Sequence, residues 1–214
     1  MSRDFALLFP SVQSKRQIVV SKILPLFRII GGAYLGTGIR MDHGLPGPFW
    51  RLSMVSNQLG SMSDINDQLA SWDGLALELK SRFGPLKLMV WKDGDVTGFG
   101  LFETSSVFTA QAEDPDICDV FDSLALEMAK VTNANAFWLV GDPGIASISS
   151  DGVLRCLSSM PRRDVDPVVY MAGVKSELLS SNEFASAAPE WEQLQSDGFE
   201  IFRAPDFGKV DASD

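Results

Sequence analysis

The feature that most constrains the fold of this chain is a tight-turn signature between two apolar runs. Residues 86–91 and 96–102 are largely apolar, and Lys92-Asp93-Gly94-Asp95 separates them. Asp-Gly suits the backbone angles of a two-residue hairpin turn, and so short a connection joins only antiparallel neighbours. The sequence therefore predicts a sheet that contains antiparallel pairs.

Further strands and helices surround this hairpin in the predicted order. Residues 145–149 and 153–157 flank a second turn signal, Ser150-Asp151-Gly152. Helical spacing of apolar residues, N-capped by Ser63 and ended by Gly84, predicts a helix over 63–83. Further helices are predicted over 11–25, 115–131 and 189–195, and further strands over 4–9, 106–110, 136–140, 168–171 and 199–202. Because hairpins follow one another and helices do not alternate with strands, we predict an α+β fold. Its antiparallel sheet is built from hairpins, with amphipathic helices packed on it.

The domain organisation is predicted from chain length and from one break in the pattern. A chain of 214 residues can form one substantial core, and no long linker divides it. We expect a single domain over 1–206 and a flexible tail over 207–214. The two prolines and two glycines of residues 41–49 form a loop, so 1–45 is a possible N-terminal subregion.

The charge of the chain is unevenly distributed. Residues 1–60 contain seven Lys/Arg and two Asp/Glu, whereas residues 183–214 contain two and eight, within a formal net charge of −10. Such a surplus of carboxylates disfavours nucleic acid as the main partner, because phosphate binding needs Lys and Arg. It favours a basic protein partner.

Two segments carry the predicted partner-binding residues. The first has six carboxylates and no Lys or Arg: Glu113, Asp114, Asp116, Asp119, Asp122 and Glu127. In the second, Glu190 and Glu192 flank Trp191, an aromatic residue with a charged border as in interface hot spots. A solvated helix face and the inner side of a short helix, shared by Trp191 and Leu194, are the structural alternatives.

Catalytic motifs are sparse, and an enzyme is the alternative reading. His43 is the sole histidine, and Asp42 is the one carboxylate near it in sequence. Asp93, Asp95 and Glu103 offer carboxylates for a metal-dependent hydrolase, although Asp-Gly-Asp is also what a tight turn needs. We expect no metal and no cofactor. A self-assembling structural component, whose basic N-terminal part meets the acidic part of the next subunit, is a third reading.

The expected compartment is the cytoplasm. Cys118 and Cys156 lie far apart without metal-ligand spacing, which is typical of buried thiols in a reducing compartment. The apolar stretch 18–35 contains Lys22, Pro25 and Arg28, so we expect no membrane span.

In general character the chain resembles the cytoplasmic immunity proteins of bacterial polymorphic toxin systems. The resemblance lies in its acidity, its α+β pattern, its few catalytic motifs and Asp-rich stretches such as Asp114-Pro115-Asp116-Ile117-Cys118-Asp119. It implies a protein that inhibits one cognate toxin by occlusion. No family motif carries a site residue over to this sequence.

Overall fold

A computed structural model describes residues 5–43, 50–103, 115–141, 168–178 and 191–204. Three α-helices are found in these residues: α1 (Arg16–Ile23), α2 (Met62–Ser71) and α3 (Pro115–Thr132). Two 3-10 helices cover Leu24–Ile30 and Ser176–Leu178. The strands are β1 (Phe5–Val12), β2 (Ala33–His43), β3 (Trp50–Gln58), β4 (Gly74–Ser81), β5 (Gly84–Asp93), β6 (Val96–Glu103), β7 (Ala136–Gly141), β8 (Val168–Lys175), β9 (Glu192–Ser196) and β10 (Phe199–Arg203).

These strands form one antiparallel sheet, which confirms the predicted α+β class. Its order is β3-β2-β4-β5-β6-β1-β7-β8-β10-β9, and every recorded pairing is antiparallel. Strand β1 lies between β6 and β7, and β2 lies between β3 and β4, so residues 5–43 contribute two strands to this sheet. The hairpin at Lys92-Asp93-Gly94-Asp95 is confirmed as β5–β6, with Gly94 at a φ of 59°.

The helices of the described residues pack on one face of the sheet. The larger core joins α1, α2, α3 and the first 3-10 helix to alternate residues of the strands, including Phe9, Phe99 and Phe137. A second cluster on the other face contains Leu8, Trp138 and strand residues alone. Both clusters are buried, so this sheet is apolar on two sides.

The predicted helix over 63–83 is wrong beyond residue 71. Helix α2 begins after Ser61, whose Oγ accepts a hydrogen bond from the backbone N–H of Asp64 at 3.1 Å, and it ends at Ser71. Leu75, Leu77 and Leu79 are all buried at every second position of strand β4, and β5 begins at Gly84. This period of two is that of a strand, and it was hidden by coincident helical spacing.

Three other predicted boundaries change. The helix predicted over 11–25 is α1 over Arg16–Ile23, because β1 continues to Val12 and a 3-10 helix follows over Leu24–Ile30. Residues 192–196 form strand β9 and not the end of a helix over 189–195, because Asp197 and Gly198 have φ of 53° and 80° and close a hairpin with β10. Residues 41–43 belong to β2 and not to a loop. The predicted helix over 115–131 and the strands over 4–9, 136–140, 168–171 and 199–202 are confirmed within a few residues. The predicted hairpin over 145–157 and strand over 106–110 lie outside the described residues.

One close contact within the first core involves a glycine. Gly173 of β8 pairs with Phe137 of β7, and the Phe137 ring lies directly over it. A Cβ atom at Gly173 would come within 3.0 Å of three ring atoms. Phe137 is fully buried between Phe9 and Phe199, each with a ring centroid 5.8 Å away. The site therefore has no room for a side chain at residue 173.

Candidate partner-binding surface

The two acidic segments of the sequence meet at the end of the sheet formed by β10 and β9. Asp116, Asp119, Asp122 and Glu127 belong to helix α3, and Glu192 is the first residue of β9. Glu113, Asp114 and Glu190 lie outside the described residues, and Asp116 is placed only by its position in the first turn of α3.

Arg203 of β10 connects the two segments. Its guanidinium donates to the Asp122 carboxylate, and it lies 3.7 Å from an Asp119 oxygen and 3.7 Å from a Glu192 oxygen. The side chains of Asp119 and Glu192 are 76% and 57% exposed, whereas those of Arg203 and Asp122 are 18% and 10% exposed. A buried ion pair therefore holds two exposed carboxylates on either side of it.

The burial of this pair affects both of its groups. Burial raises the pKa of the Asp122 carboxyl, and the negative charges of Asp119 and Glu192 add to this effect while Arg203 opposes it. Burial alone would lower the pKa of Arg203, but Asp122, Glu192 and Asp119 outweigh it and raise that pKa. Asp122 is thus a structural partner of Arg203 and not a carboxylate presented to a partner protein.

A second set of charges continues this surface toward the β9–β10 turn. Lys130 of α3 lies 2.9 Å from Glu127 and 2.8 Å from Asp197, the first residue of the turn. These hydrogen bonds raise the pKa of Lys130, and the one to Asp197 lowers the pKa of that carboxyl. Helix α3 therefore contacts the hairpin at both of its ends.

We use the name acidic surface for the exposed carboxylates of Asp119, Glu127, Glu192 and Asp197. Among the described residues, Lys130 and the mostly buried Arg203 are the cations in contact with these carboxylates. Together with Asp122 this makes five carboxylates against two cations, so this part of the surface is negative in the residues that the structure describes.

The helical alternative placed Trp191 and Leu194 on the same face, but the structure places them on opposite faces of the sheet. Trp191 is half-buried and packs on the second core, whereas Leu194 packs on the first. Glu200, on the Trp191 side of the hairpin, accepts hydrogen bonds from Gln193 at 3.2 Å and Gln195 at 2.9 Å. The wrong helical assignment explains the error, because alternate residues of a strand point to opposite faces.

The carboxylates considered for a metal site are not brought together. Asp93 and Asp95 lie at the turn of the β5–β6 hairpin, and Glu103 lies at the far end of β6. At about 3.3 Å of rise per residue, the seven steps from Val96 to Glu103 place Glu103 roughly 23 Å from the turn. Within the described ranges no group of three His, Cys, Asp or Glu side chains is arranged to hold a metal ion.

Asp42, the carboxylate next to His43 in sequence, is paired with Arg40. His43 is the last residue of β2, opposite Trp50 of β3, and the Asp42 carboxylate lies 2.6 Å from Arg40 Nε. A carboxylate already paired with an arginine is poorly suited to orient a catalytic imidazole.

The apolar stretch over residues 18–35 raised the question of a membrane span. None of the helices described is long and apolar enough to cross a membrane.

Sequence reasoning missed Arg203 and Lys130 as components of this surface. The available signal was Asp197-Gly198, a turn dipeptide between two runs of alternating residues. It predicts the β9–β10 hairpin, and the hairpin places Arg203 beside Glu192. The contact between Arg203 and Asp122 spans 81 residues and has no local signal.

Comparison with known proteins assigns no family to the chain. No protein-family description matches it, and no curated protein matches it. A solved structure with some likeness is the toxic C-terminal tip of CdiA from Pseudomonas aeruginosa in complex with immune protein. The matched chain is 14% identical with a TM-score of 0.43, over 67% of this chain and 89% of that one. Another is a Pseudomonas aeruginosa T6SS protein, 10% identical with a TM-score of 0.48, over 99% of this chain and 68% of that one. The chain is similar to these proteins in coarse outline, at scores too low to assign it a family or a function.

Proposed function

We propose that this protein binds a basic protein partner through the acidic surface and neutralises it by occlusion, as an immunity protein does a toxin. The observation that carries the proposal is the contact of Arg203 with Asp119, Asp122 and Glu192. It joins two acidic segments, far apart in sequence, into one negative surface on packed elements. The partner's identity as a toxin domain, and the cytoplasm as the compartment, follow from the resemblance and belong to this proposal.

The exposed carboxylates would act mainly on the rate of association. Asp119 and Glu192 are largely solvated, so each contact with a basic side chain adds little net affinity. Their summed field nevertheless attracts a positively charged surface over a distance of about 10 Å at 0.1 M salt. Binding that depends on this field weakens as salt is added.

Rigid placement of these carboxylates supports a docking role. Asp119 is on α3 and Glu192 is on β9. The buried Asp122–Arg203 pair ties α3 to β10, and β10 pairs with β9. Charges fixed on packed secondary structure lose less conformational entropy on binding than charges on a free loop. Occlusion then requires only that this protein covers the functional site of the bound partner.

The test is a pull-down with the tagged full chain from native lysate of the source cells at about 50 and about 500 mM salt. We expect one stoichiometric basic protein that is retained at low salt and reduced at high salt. The double variant Asp119→Asn/Glu192→Gln should reduce its capture at low salt.

The matched control is Asp67→Asn/Asp95→Asn, which removes the same charge from α2 and from the β5–β6 turn. Both side chains are exposed and lie away from the acidic surface. We expect this control to capture the partner as the unmodified chain does. Equal capture by both double variants, or no protein captured at either salt, would contradict the proposal.

A further inference from the structure

The two edges of the sheet differ in a way that bears on how a partner binds. Strands β3 and β9 are the outermost strands of the described sheet, each paired on one side. An unpaired strand edge presents backbone N–H and C=O groups that another extended segment can pair with. Native proteins block such edges with bulges, prolines or lysines.

The β3 edge is blocked. Its register with β2 shifts between Ser56 opposite Ile39 and Leu52 opposite Met41, so three residues of β3 face a single residue of β2. Within this bulge the N–H of Val55 donates to Ser53 Oγ at 3.1 Å, and its C=O accepts from Asn57 Nδ2 at 3.5 Å. The backbone of β3 is therefore irregular and partly satisfied by its own side chains.

Strand β9 has no neighbouring strand on its outer side among the described residues. It pairs with β10 over five consecutive positions without a register shift, and it contains no proline and no lysine. A two-residue turn closes the hairpin, so Ser196 and Phe199 form a hydrogen-bonded pair and alternate pairs follow. The backbone groups of Gln193 and Gln195 therefore point away from β10, toward the outer edge.

The charges beside this edge select the occupant. Glu192 is the first residue of β9, and Asp197 directly follows its last residue. Glu200 of the neighbouring strand β10 accepts hydrogen bonds from the side chains of Gln193 and Gln195. The single cation of the hairpin, Arg203, is turned toward Asp122 and is mostly buried. A second copy of this chain would bring like charges together, whereas a segment with lysine or arginine at alternate positions would not.

We propose that an extended, basic segment of the partner adds to the sheet as a further strand at the β9 edge, pairing with the outward backbone groups of Gln193 and Gln195. This inference rests on the proposed function and specifies its binding mode. Backbone pairing supplies the register, and Glu192, Asp197 and Glu200 favour basic side chains on the added strand. The two α3 carboxylates of the acidic surface, Asp119 and Glu127, then flank the added segment.

The experiment uses the full chain and a capped synthetic peptide of alternating Lys and Val. A peptide of alternating Lys and Pro is the control, because it keeps the charge but cannot form a strand. Gln195→Pro removes the outward N–H while leaving the bonds to β10 intact, and Gln195→Ala removes only the side chain. We expect Gln195→Pro to bind the Lys/Val peptide roughly fivefold more weakly than Gln195→Ala, as expected for one lost hydrogen bond.

A second measurement keeps the test valid if the proline variant unfolds. Hydrogen exchange of the unmodified chain should slow at the amides of Gln193 and Gln195 when the Lys/Val peptide binds, and not with the Lys/Pro peptide. Equal binding of both peptides, absence of binding, or unprotected amides would overturn strand addition. A peptide-induced dimer would do so too, since it assigns the edge to a second copy. Salt-dependent capture of a partner by the acidic surface is measured separately, so either proposal can fail without the other.

Discussion

Replacing Arg203 with methionine tests whether the buried ion pair holds the acidic surface together. Arg203→Met removes the cation from Asp122, whose side chain is 10% exposed, and leaves that carboxylate without its partner. Removing one member of a buried pair costs about 3–5 kcal/mol. We expect a loss of about 3 kcal/mol in the free energy of unfolding at pH 7, the lower end of that range, because Asp122 is not fully enclosed.

The other two contacts of Arg203 contribute little to this loss. Asp119 and Glu192 are 3.7 Å from the guanidinium and mostly exposed. Pairs of this kind contribute about 0–1 kcal/mol in water. The double variant Arg203→Met/Asp122→Leu removes both buried charges, so we expect it to recover about 2 kcal/mol relative to Arg203→Met.

The pH dependence provides an independent check of sign. Burial raises the pKa of Asp122 above its ordinary value of 3.8, so proton uptake favours the folded state. Without Arg203 this pKa rises further, because the opposing charge is gone. The deficit of Arg203→Met relative to the unmodified chain should therefore shrink as the pH falls from 7 toward 3.8.

Urea unfolding followed by the fluorescence of the five tryptophans measures the loss in Arg203→Met, the recovery in the double variant and the pH dependence of the loss. A deficit below about 1 kcal/mol at pH 7 would refute the reasoning, as it is no larger than that of an exposed pair. A deficit independent of pH, or a double variant no more stable than Arg203→Met, would refute it equally.

Three further substitutions test local packing elsewhere in the fold, each by urea unfolding. Ser61→Ala should cost about 1 kcal/mol, because it removes the hydrogen bond that caps α2 at the N–H of Asp64; no change would contradict the cap. Arg16→Met should cost about 2 kcal/mol, because the guanidinium donates to three backbone carbonyls at the end of α2. An Arg16→Lys variant with an unchanged free energy of unfolding would show that the guanidinium geometry is not needed. Gly173→Ala should cost about 3 kcal/mol by overlap with the Phe137 ring, and added Phe137→Leu should recover part of this loss; strict additivity would exclude the overlap.

The parts of the fold that could be predicted from sequence were those with local signals. The Asp-Gly turn predicted the β5–β6 hairpin, and an unbroken amphipathic pattern predicted α3. The start of α2 was predicted two residues late, at Ser63 instead of Ser61, and its end was predicted too far along the chain. Ile65 and Leu69 are followed by Ala76 and Leu79 at intervals that also fit a helix, so only the strict alternation of Leu75, Leu77 and Leu79 marked β4.

The candidate site was predictable only as composition. The sequence showed two acidic segments, but nothing local indicates that residue 122 would meet residue 203 or that Lys130 would meet Asp197. Such contacts depend on the order of strands in the sheet, which cannot be read from local patterns in a single sequence. The same limit explains why Asp122 was predicted to bind a partner although its side chain is buried.

Under the proposed function, folding stability depends on the buried Asp122 and recognition depends on the exposed carboxylates of the acidic surface, and this separation determines which variants report on binding. Asp122 is buried against Arg203, so changing either residue alters the folding free energy and the position of the surface together. Asp119 and Glu192 contact the same guanidinium from solvent, so their neutralisation removes charge at little cost in stability. A binding loss in Asp119→Asn/Glu192→Gln therefore reports on recognition, whereas the same loss in Arg203→Met does not. In the proposed binding role, exposed charges could be exchanged to suit a partner without disturbing the buried pair that joins α3 to the hairpin.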